Sequence, residues 1–306
     1  MNDIVVPRDD RDARPRLDAS VIIPSRNRAQ LLAETVDSVL AGAATPAEII
    51  VVDQSDERNE RLAALTSKRS DVRYTWSRVP GVSRARNLGI SMARHAYMAL
   101  IDDDVRVQPD WLEALLRAAE SAGPGAVVTG RVLAEQPATA DGFVPSTIDS
   151  DEPVIHAGRI AADVLYTNNM MLHRSLIDRI GDFDERLGGG APFPTAEDND
   201  FAHRLLEAGF RIHYAPQAAV VHRAWRTGRD YLPLRWTYGR GQGAFYAKHI
   251  DLRDRYMLGR LRHDVAQRGI RFLRHALTDP RRAAGQLVYL AGMLSGFGQW
   301  LIRRPR

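Results

Sequence analysis

Three consecutive carboxylates, Asp102, Asp103 and Asp104, close the apolar run from Met98 to Ile101. Carboxylate oxygens are hard ligands, and such a cluster suits Mg²⁺ or Mn²⁺, which in turn bind phosphate oxygens. The plainer reading is a solvated turn ahead of a helix, since acids favour helix N-termini. That reading accounts for Asp110 but poorly for three acids ending a buried run. Asp53 also ends an apolar run, EIIVVD, either as a turn acid or as a contact to a ribose or base. Glu197 and Asp198 follow the glycine-rich stretch GGGAPFPTA and open a helical pattern with Phe201, Leu205 and Leu206 on its apolar face. A carboxylate at that point can act as a general base. Equally, Thr195 and Asp198 have the spacing of a capping box. His222 closes AAVVH, where both a hydrogen-bonded structural histidine and a neutral nitrogen ligand for Mn²⁺ are open. Arg84 and Arg86, in GVSRARN, sit where a loop enters a helix, a place that favours anions. Ordinary surface charge is the alternative for either one.

The elements that must hold these residues alternate. SVIIPSRN (20–27), AEIIVVD (47–53), VRYTW (72–76) and AYMALI (96–101) predict strands, with helices in LLAETVDSVL (31–40) and after the loop that opens 81–94. Strands apolar on both faces at this spacing predict a mainly parallel sheet covered by helices, an α/β fold. Ligands bind such sheets beyond the carboxyl ends of the strands, the edge where Asp53 and Asp102–Asp104 fall. Further on, 126–133 and 164–172 predict strands and 134–162 a loop. A short helix and a turn fill 174–187, and RIHYAP (211–216) and AAVVHR (218–223) predict two short strands. Residues 1–18 read as a mobile tail, 19–228 as the ligand-binding domain and 229–306 as a basic helical region.

The chain has 306 residues, 44% apolar and 26% charged, with no cysteine. That is ordinary for a globular protein and excludes disulfides and cysteine metal sites. The N-terminus has no apolar core of a secretion signal, so a cytoplasmic location is expected. The formal net charge of +4 is uneven: residues 251–306 hold 12 Arg, no Lys, 4 Asp and no Glu. Such asymmetry points to an anionic partner, nucleic acid or a membrane surface. No nucleic-acid motif accompanies it, so an anionic membrane surface at the inner face is the expectation and nucleic acid is not. GQLVYLAGMLSGFGQWLI (285–302) is short and broken by Gly and Gln beside the roughly 20 apolar residues that a span needs. It predicts an interfacial or packed helix.

Taken in order, these segments resemble the family 2 glycosyltransferases, inverting enzymes of the GT-A fold that use nucleotide sugars. VIIPSRNRAQLLAETVDSVL is similar to their opening strand and helix, EIIVVDQSDE to the second strand, GVSRARNLGI to the following loop and helix, and LIDDDV to the DXD motif. NNMMLHRSLIDRIGDFDERL is similar to the segment before the acceptor loop, AEDNDFAHRLLEAGF to the ED motif, and VVHR to a metal-binding histidine. The order and spacing, over about residues 19–225, are more specific than any one motif. VVDQSD departs from the Gly and Ser that many members carry after that Asp.

The resemblance implies Asp198 as the catalytic base and Asp104 and His222 as ligands of a divalent cation, Mn²⁺ or Mg²⁺. It implies a nucleotide site drawn from Pro24, Arg26, Asp53, Arg84, Asp102, Asp103, Asn169 and Glu197, with Asp102 nearer the ribose or a metal-bound water. Residue chemistry alone gives Asp103 no role. The donor is a nucleotide sugar, UDP-linked by default, and the acceptor a hydroxyl of a glycan or lipid-linked glycan. Loop 188–195 would gate the acceptor side. The rivals are another metal-dependent nucleotide-sugar enzyme of pyrophosphorylase type and a non-catalytic basic scaffold. PSRNRAQ lacks the glycine-rich phosphate loop the first would carry after its first strand.

Overall fold

The computed structural model describes residues 14–136, 142–251 and 253–303. Most of the expected tail lies outside them; where description begins, β1 (Arg16–Ser25) starts three residues before the boundary expected at 19. The next elements are α1 (Ala29–Leu40), β2 (Thr45–Asp53), α2 (Glu60–Lys68), β3 (Val72–Trp76), α3 (Val82–Met92), β4 (Tyr97–Ile101), β5 (Val105–Val107) and α4 (Trp111–Ala122). They are followed by β6 (Ala126–Ala134), β7 (Val154–Ala157), β8 (Asn169–His173), α5 (Arg174–Ile180), α6 (Glu197–Glu207) and β9 (Arg211–His222). Three helices finish the chain: α7 (Tyr231–His249), α8 (Arg255–His275) and α9 (Pro280–Ile302).

One sheet runs β3-β2-β1-β4-β8-β6-β9-β5, with β7 on the side of β9. β1 to β4 are parallel; β8 runs against both β4 and β6, and β5 and β7 run against β9. Alternate residues of each central strand face opposite layers. Val21, Ile23, Ile49, Val51, Ala99 and Ile101 pack under α1, α2 and α4. Ile22, Ile50, Val52, Met98 and Leu100 pack under α3, α5 and α6. Both faces are covered, which is why these strands read as continuous apolar runs.

The expected pair of short strands at 211–223 is a single strand. Its register against β6 slips between Gly130↔Ala215 and Arg131↔Ala219. Pro216 lies in that interval and has no N–H for the ladder, so the chain bulges there without ending. β7 lies within the stretch expected to be loop, as a four-residue edge strand whose Val154 and Ile155 are exposed.

The C-terminal helices are built on glycine. A Cβ on Gly243 would lie 2.0 Å from the Met293 carbonyl oxygen, and one on Gly296 2.0 Å from that of Arg240. α7 and α9 therefore touch backbone to backbone, an approach only glycine permits. α9 is a packed helix in this respect, and among the described residues no helix is long and apolar enough to cross a membrane. Its outer side carries exposed Leu287, Leu294, Leu301 and Ile302. A Cβ on Gly241 would lie 2.0 Å from Thr195 Oγ1, so α7 also lies directly on the loop that leads into α6.

Candidate functional site

A cleft of 440 Å³ opens beyond the carboxyl end of β4, walled by the start of α6, the residues ahead of β8 and the helices α7 to α9. An adjoining cavity of 320 Å³ is lined by Pro24, Arg26, Gln54, Asp102, Asp103 and the loop glycines Gly189 and Gly190. Arg28, Arg86, Asp102 and Glu197 line both spaces. The loop expected to gate the acceptor side thus presents its glycines to the smaller cavity and Thr195 to the larger.

Repulsion within the aspartate triplet is relieved by the chain's own cations. Arg28 Nη1 donates to Asp103 Oδ1 at 3.0 Å and to Asp104 Oδ2 at 2.6 Å. Arg86 Nη2 donates to Asp102 Oδ1 at 2.9 Å. Asp103 also accepts from Ser25 Oγ at 2.6 Å. Burial, with Asp104 and Asp102 nearby, pushes the Asp103 pKa up to about 6 despite Arg28. Asp103 is thereby fixed as the acid that holds Arg28 at the junction of the two spaces.

Asp104 and His222 form a second unit. Residues Val105 and His222 pair across β5 and β9, which brings the end of the triplet beside the histidine. His222 Nδ1 lies 3.0 Å from the Pro145 carbonyl, which can only accept, so Nδ1 carries the proton. Nε2 is left facing Asp104 Oδ1 at 3.3 Å, and that oxygen is buried without a hydrogen-bond partner. Burial works against the histidine cation, but Asp104 more than offsets it and raises the His222 pKa. A hard oxygen beside a tautomer-fixed nitrogen fits Mn²⁺ or Mg²⁺. Among the described residues no group of three or more such donors gathers, so a cation there would draw its other ligands from substrate or water.

Arg86 is the centre of the acid cluster. Its side chain is 3% exposed and reaches Asp102, Glu197 Oε1 at 3.1 Å and Asp198 Oδ1 at 3.9 Å. Asp198 accepts from Thr167 Oγ1 at 2.8 Å. Its enclosure in the cleft, and then Glu197, push its pKa up to about 7 against the pull of Arg86 and Thr167. A carboxyl poised there is matched to proton abstraction near neutral pH. The capping box does not form: Ala196 is the N-cap with φ 74°, and Thr195 Oγ1 turns to the Thr237 carbonyl. Asp200, one turn into the same N-terminus, is fully buried and ion-paired to Lys248, His249 and Arg204, which ties α6 to α7.

Three sequence candidates are placed away from the cleft. Arg84 is half-exposed and paired with Glu185 at 2.8 Å; Arg86, one helical step deeper, is the arginine that enters the site. Asn169 is fully buried, donating to the Arg131 and Ala218 carbonyls and accepting from Trp111 Nε1. It pins the bulge between β6 and β9, and its neighbours Asn168 and Thr167 face the cleft instead. Asp53 is 1% exposed and accepts from the Ser55 amide and from Tyr74 Oη at 2.7 Å, while Gln54 lines the smaller cavity. Sequence reading missed Arg28, Thr167 and the cleft wall of Arg226, Arg235, Tyr238, Arg268 and Tyr289. Only the arginine excess near the C-terminus hinted at that wall.

Residues 20–181 match the model of Glycosyl transferase family 2. The chain is 29% identical over 221 residues to the glucosyl-dolichyl phosphate glucuronosyltransferase of Haloferax volcanii, covering 69% of this chain and 71% of that one. It is 28% identical over 243 residues to the pre-mycofactocin glycosyltransferase of Mycobacterium tuberculosis, spanning about half of that relative (76% of this chain, 48% of that one). A mannosyltransferase from Pyrobaculum calidifontis, solved with GDP-Man and Mn²⁺, superposes with a TM-score of 0.61 at 17% identity, over 94% of this chain and 88% of that one. That likeness is one of fold, the GT-A arrangement.

Proposed function

Because the chain belongs to glycosyl transferase family 2, we propose that it moves a sugar from a nucleotide sugar to a hydroxyl of a glycan or lipid-linked glycan, with inversion and with a divalent cation bound. The observation that carries this reading is Asp198, a carboxyl with its pKa pushed up to about 7, set in a cleft beside an arginine-held acid cluster. A sugar hydroxyl is a poor nucleophile at neutral pH, and a positioned base removes its proton as the bond forms. Asp198 takes that proton. Thr167 orients the carboxylate and Arg86 keeps it from being fully neutralised. Arg26 and Arg28 present positive charge to the smaller cavity, and Arg28 also reaches Asp104, so the nucleotide diphosphate lies along the junction of the two spaces. Asp102 faces the same cavity and is the ribose-side acid. Asp104 and His222 would hold the cation, which when bound supplies Lewis-acid stabilisation of the departing diphosphate.

A panel of UDP- and GDP-sugars, scored for slow hydrolysis with Mn²⁺, Mg²⁺ or chelator, tests this. At least one donor is expected to be cleaved with metal and not with chelator, and Asp104→Ala is expected to lose the metal response. No cleavage of any donor, or cleavage indifferent to chelator, would count against the reading.

A further inference from the structure

The wall that α7, α8 and α9 contribute to the cleft is cationic in a way the catalytic acids do not use. Arg235 and Arg268 flank the ring of Tyr289, with guanidinium carbons 4.5 and 3.9 Å from its centroid. Arg268 Nε donates to Asp264 Oδ1 at 3.0 Å. Arg235 has no carboxylate partner among the described residues. Its Nε reaches only the Gly285 carbonyl, at 3.4 Å, and its Nη2 is buried with no hydrogen-bond partner. The acid of this wall, Asp163, is paired with Arg260. Burial, and then the neighbouring Arg268, hold the Arg235 pKa below its usual value, as two like charges without an anion between them would. A buried guanidinium edge left unpaired costs stability. Its persistence beside a second arginine is explained by an oxyanion that arrives with a ligand.

The ligand is the acceptor. Arg28 lines both spaces and pairs with Asp104, so the donor's phosphates lie along the junction between the smaller cavity and the cation site of Asp104 and His222, and the departing diphosphate must leave on the side opposite the attacking hydroxyl. Arg235, Arg268 and Tyr289 line the cleft from α7, α8 and α9 and make no hydrogen bond or ion pair with Arg28, Asp104 or His222 among the described residues, which leaves them to the attacking molecule. We propose that the acceptor carries a phosphate group, held by Arg235 and Arg268 against Tyr289 on the wall built by the C-terminal helices. Two planar guanidiniums can share the several oxygens of one phosphate. This rests on the transferase reading above.

The test is calorimetric titration of the full chain, without donor and with chelator, using four probes: glucose 1-phosphate, octyl phosphate, octanoate and octyl glucoside. At least one of the two phosphates is expected to bind, and at least tenfold more tightly than octanoate or octyl glucoside. The tighter of the two identifies the source, a sugar phosphate or a lipid phosphate. Arg235→Gln, shown to be folded by its melting curve, is expected to bind that phosphate at least tenfold more weakly, with Arg235→Lys between. Equal binding of octanoate and phosphate, binding of neither phosphate, or full binding by Arg235→Gln would each overturn the proposal. Donor hydrolysis by the unaltered protein reads the transferase assignment separately, so failure of one is distinguishable from failure of the other.

Discussion

Asp198→Asn is expected to lose transfer by about 10²–10⁴-fold while binding the nucleotide sugar within about twofold of the parent. The amide keeps the size of the carboxyl and can still meet Thr167, but it cannot take a proton. Loss confined to turnover is the signature of a group that acts only as the bond forms. The pH profile carries the same information. Asp198 works as the carboxylate, and its pKa is pushed up to about 7. Turnover should therefore rise with pH through that value, and at pH 6 stand about tenfold below its plateau. Stability moves the other way. A carboxyl whose folded pKa lies above its unfolded value favours the fold at low pH and loses that contribution as pH rises through 7. Asp198→Asn should thus melt at a higher temperature than the parent at pH 8, with a smaller gain at pH 5. A variant with full transfer activity, or a profile flat across pH 6–8, would remove Asp198 from the role.

Arg86→Met is expected to have the largest effect on stability. Methionine fills much of the arginine's volume, so the change isolates the charge. Without the guanidinium, Asp102, Glu197 and Asp198 face one another with no cation among them. An uncompensated buried charge costs about 3–5 kcal/mol. Asp102 and Asp198 keep some contact with solvent, which places the expectation near the lower end. For a chain of this size that is a fall in Tm on the order of 10 °C. Repeating the melt at pH 5 should narrow the gap, because Asp198 is then protonated. Arg86→Lys should fall between, since an ammonium keeps the charge and loses the planar fork. An unchanged Tm for Arg86→Met at pH 7.5 would mean that the acids do not depend on this residue.

How much of this was legible in the sequence follows from what each residue's neighbours are. The parallel half of the sheet could be read directly, because β1 to β4 are buried on both faces and their runs are apolar throughout. Pro216 misled for a physical reason: it usually ends strands, and here the sheet absorbs it as a bulge. α2 was overlooked although Asn59 caps it through Leu62 N, since only Leu62 is buried in that helix. In the site, motif order pointed to Asp102, Asp104, Asp198 and His222, which line one cleft, and to Asp103, which lines the cavity beside it. It did not separate Arg84 from Arg86, two residues apart on one helix, because which face turns inward depends on α6 and on the loop before it. Asn169 shows the converse. A polar residue at the head of a strand looks like a ligand contact, and only the bulge opposite it explains its three hydrogen bonds. The arginine wall was visible only as a charge excess, since Arg235, Arg268 and Tyr289 meet through three different helices.

The central claim is a single displacement at the anomeric carbon with Asp198 as base. Its most direct test is proton NMR of the first glycoside formed from an α-linked nucleotide sugar with Mn²⁺, recorded before any anomeric equilibration. One displacement predicts a β-linked product. An α-linked product would contradict it, because retention requires a second displacement or a front-face attack that this base does not serve.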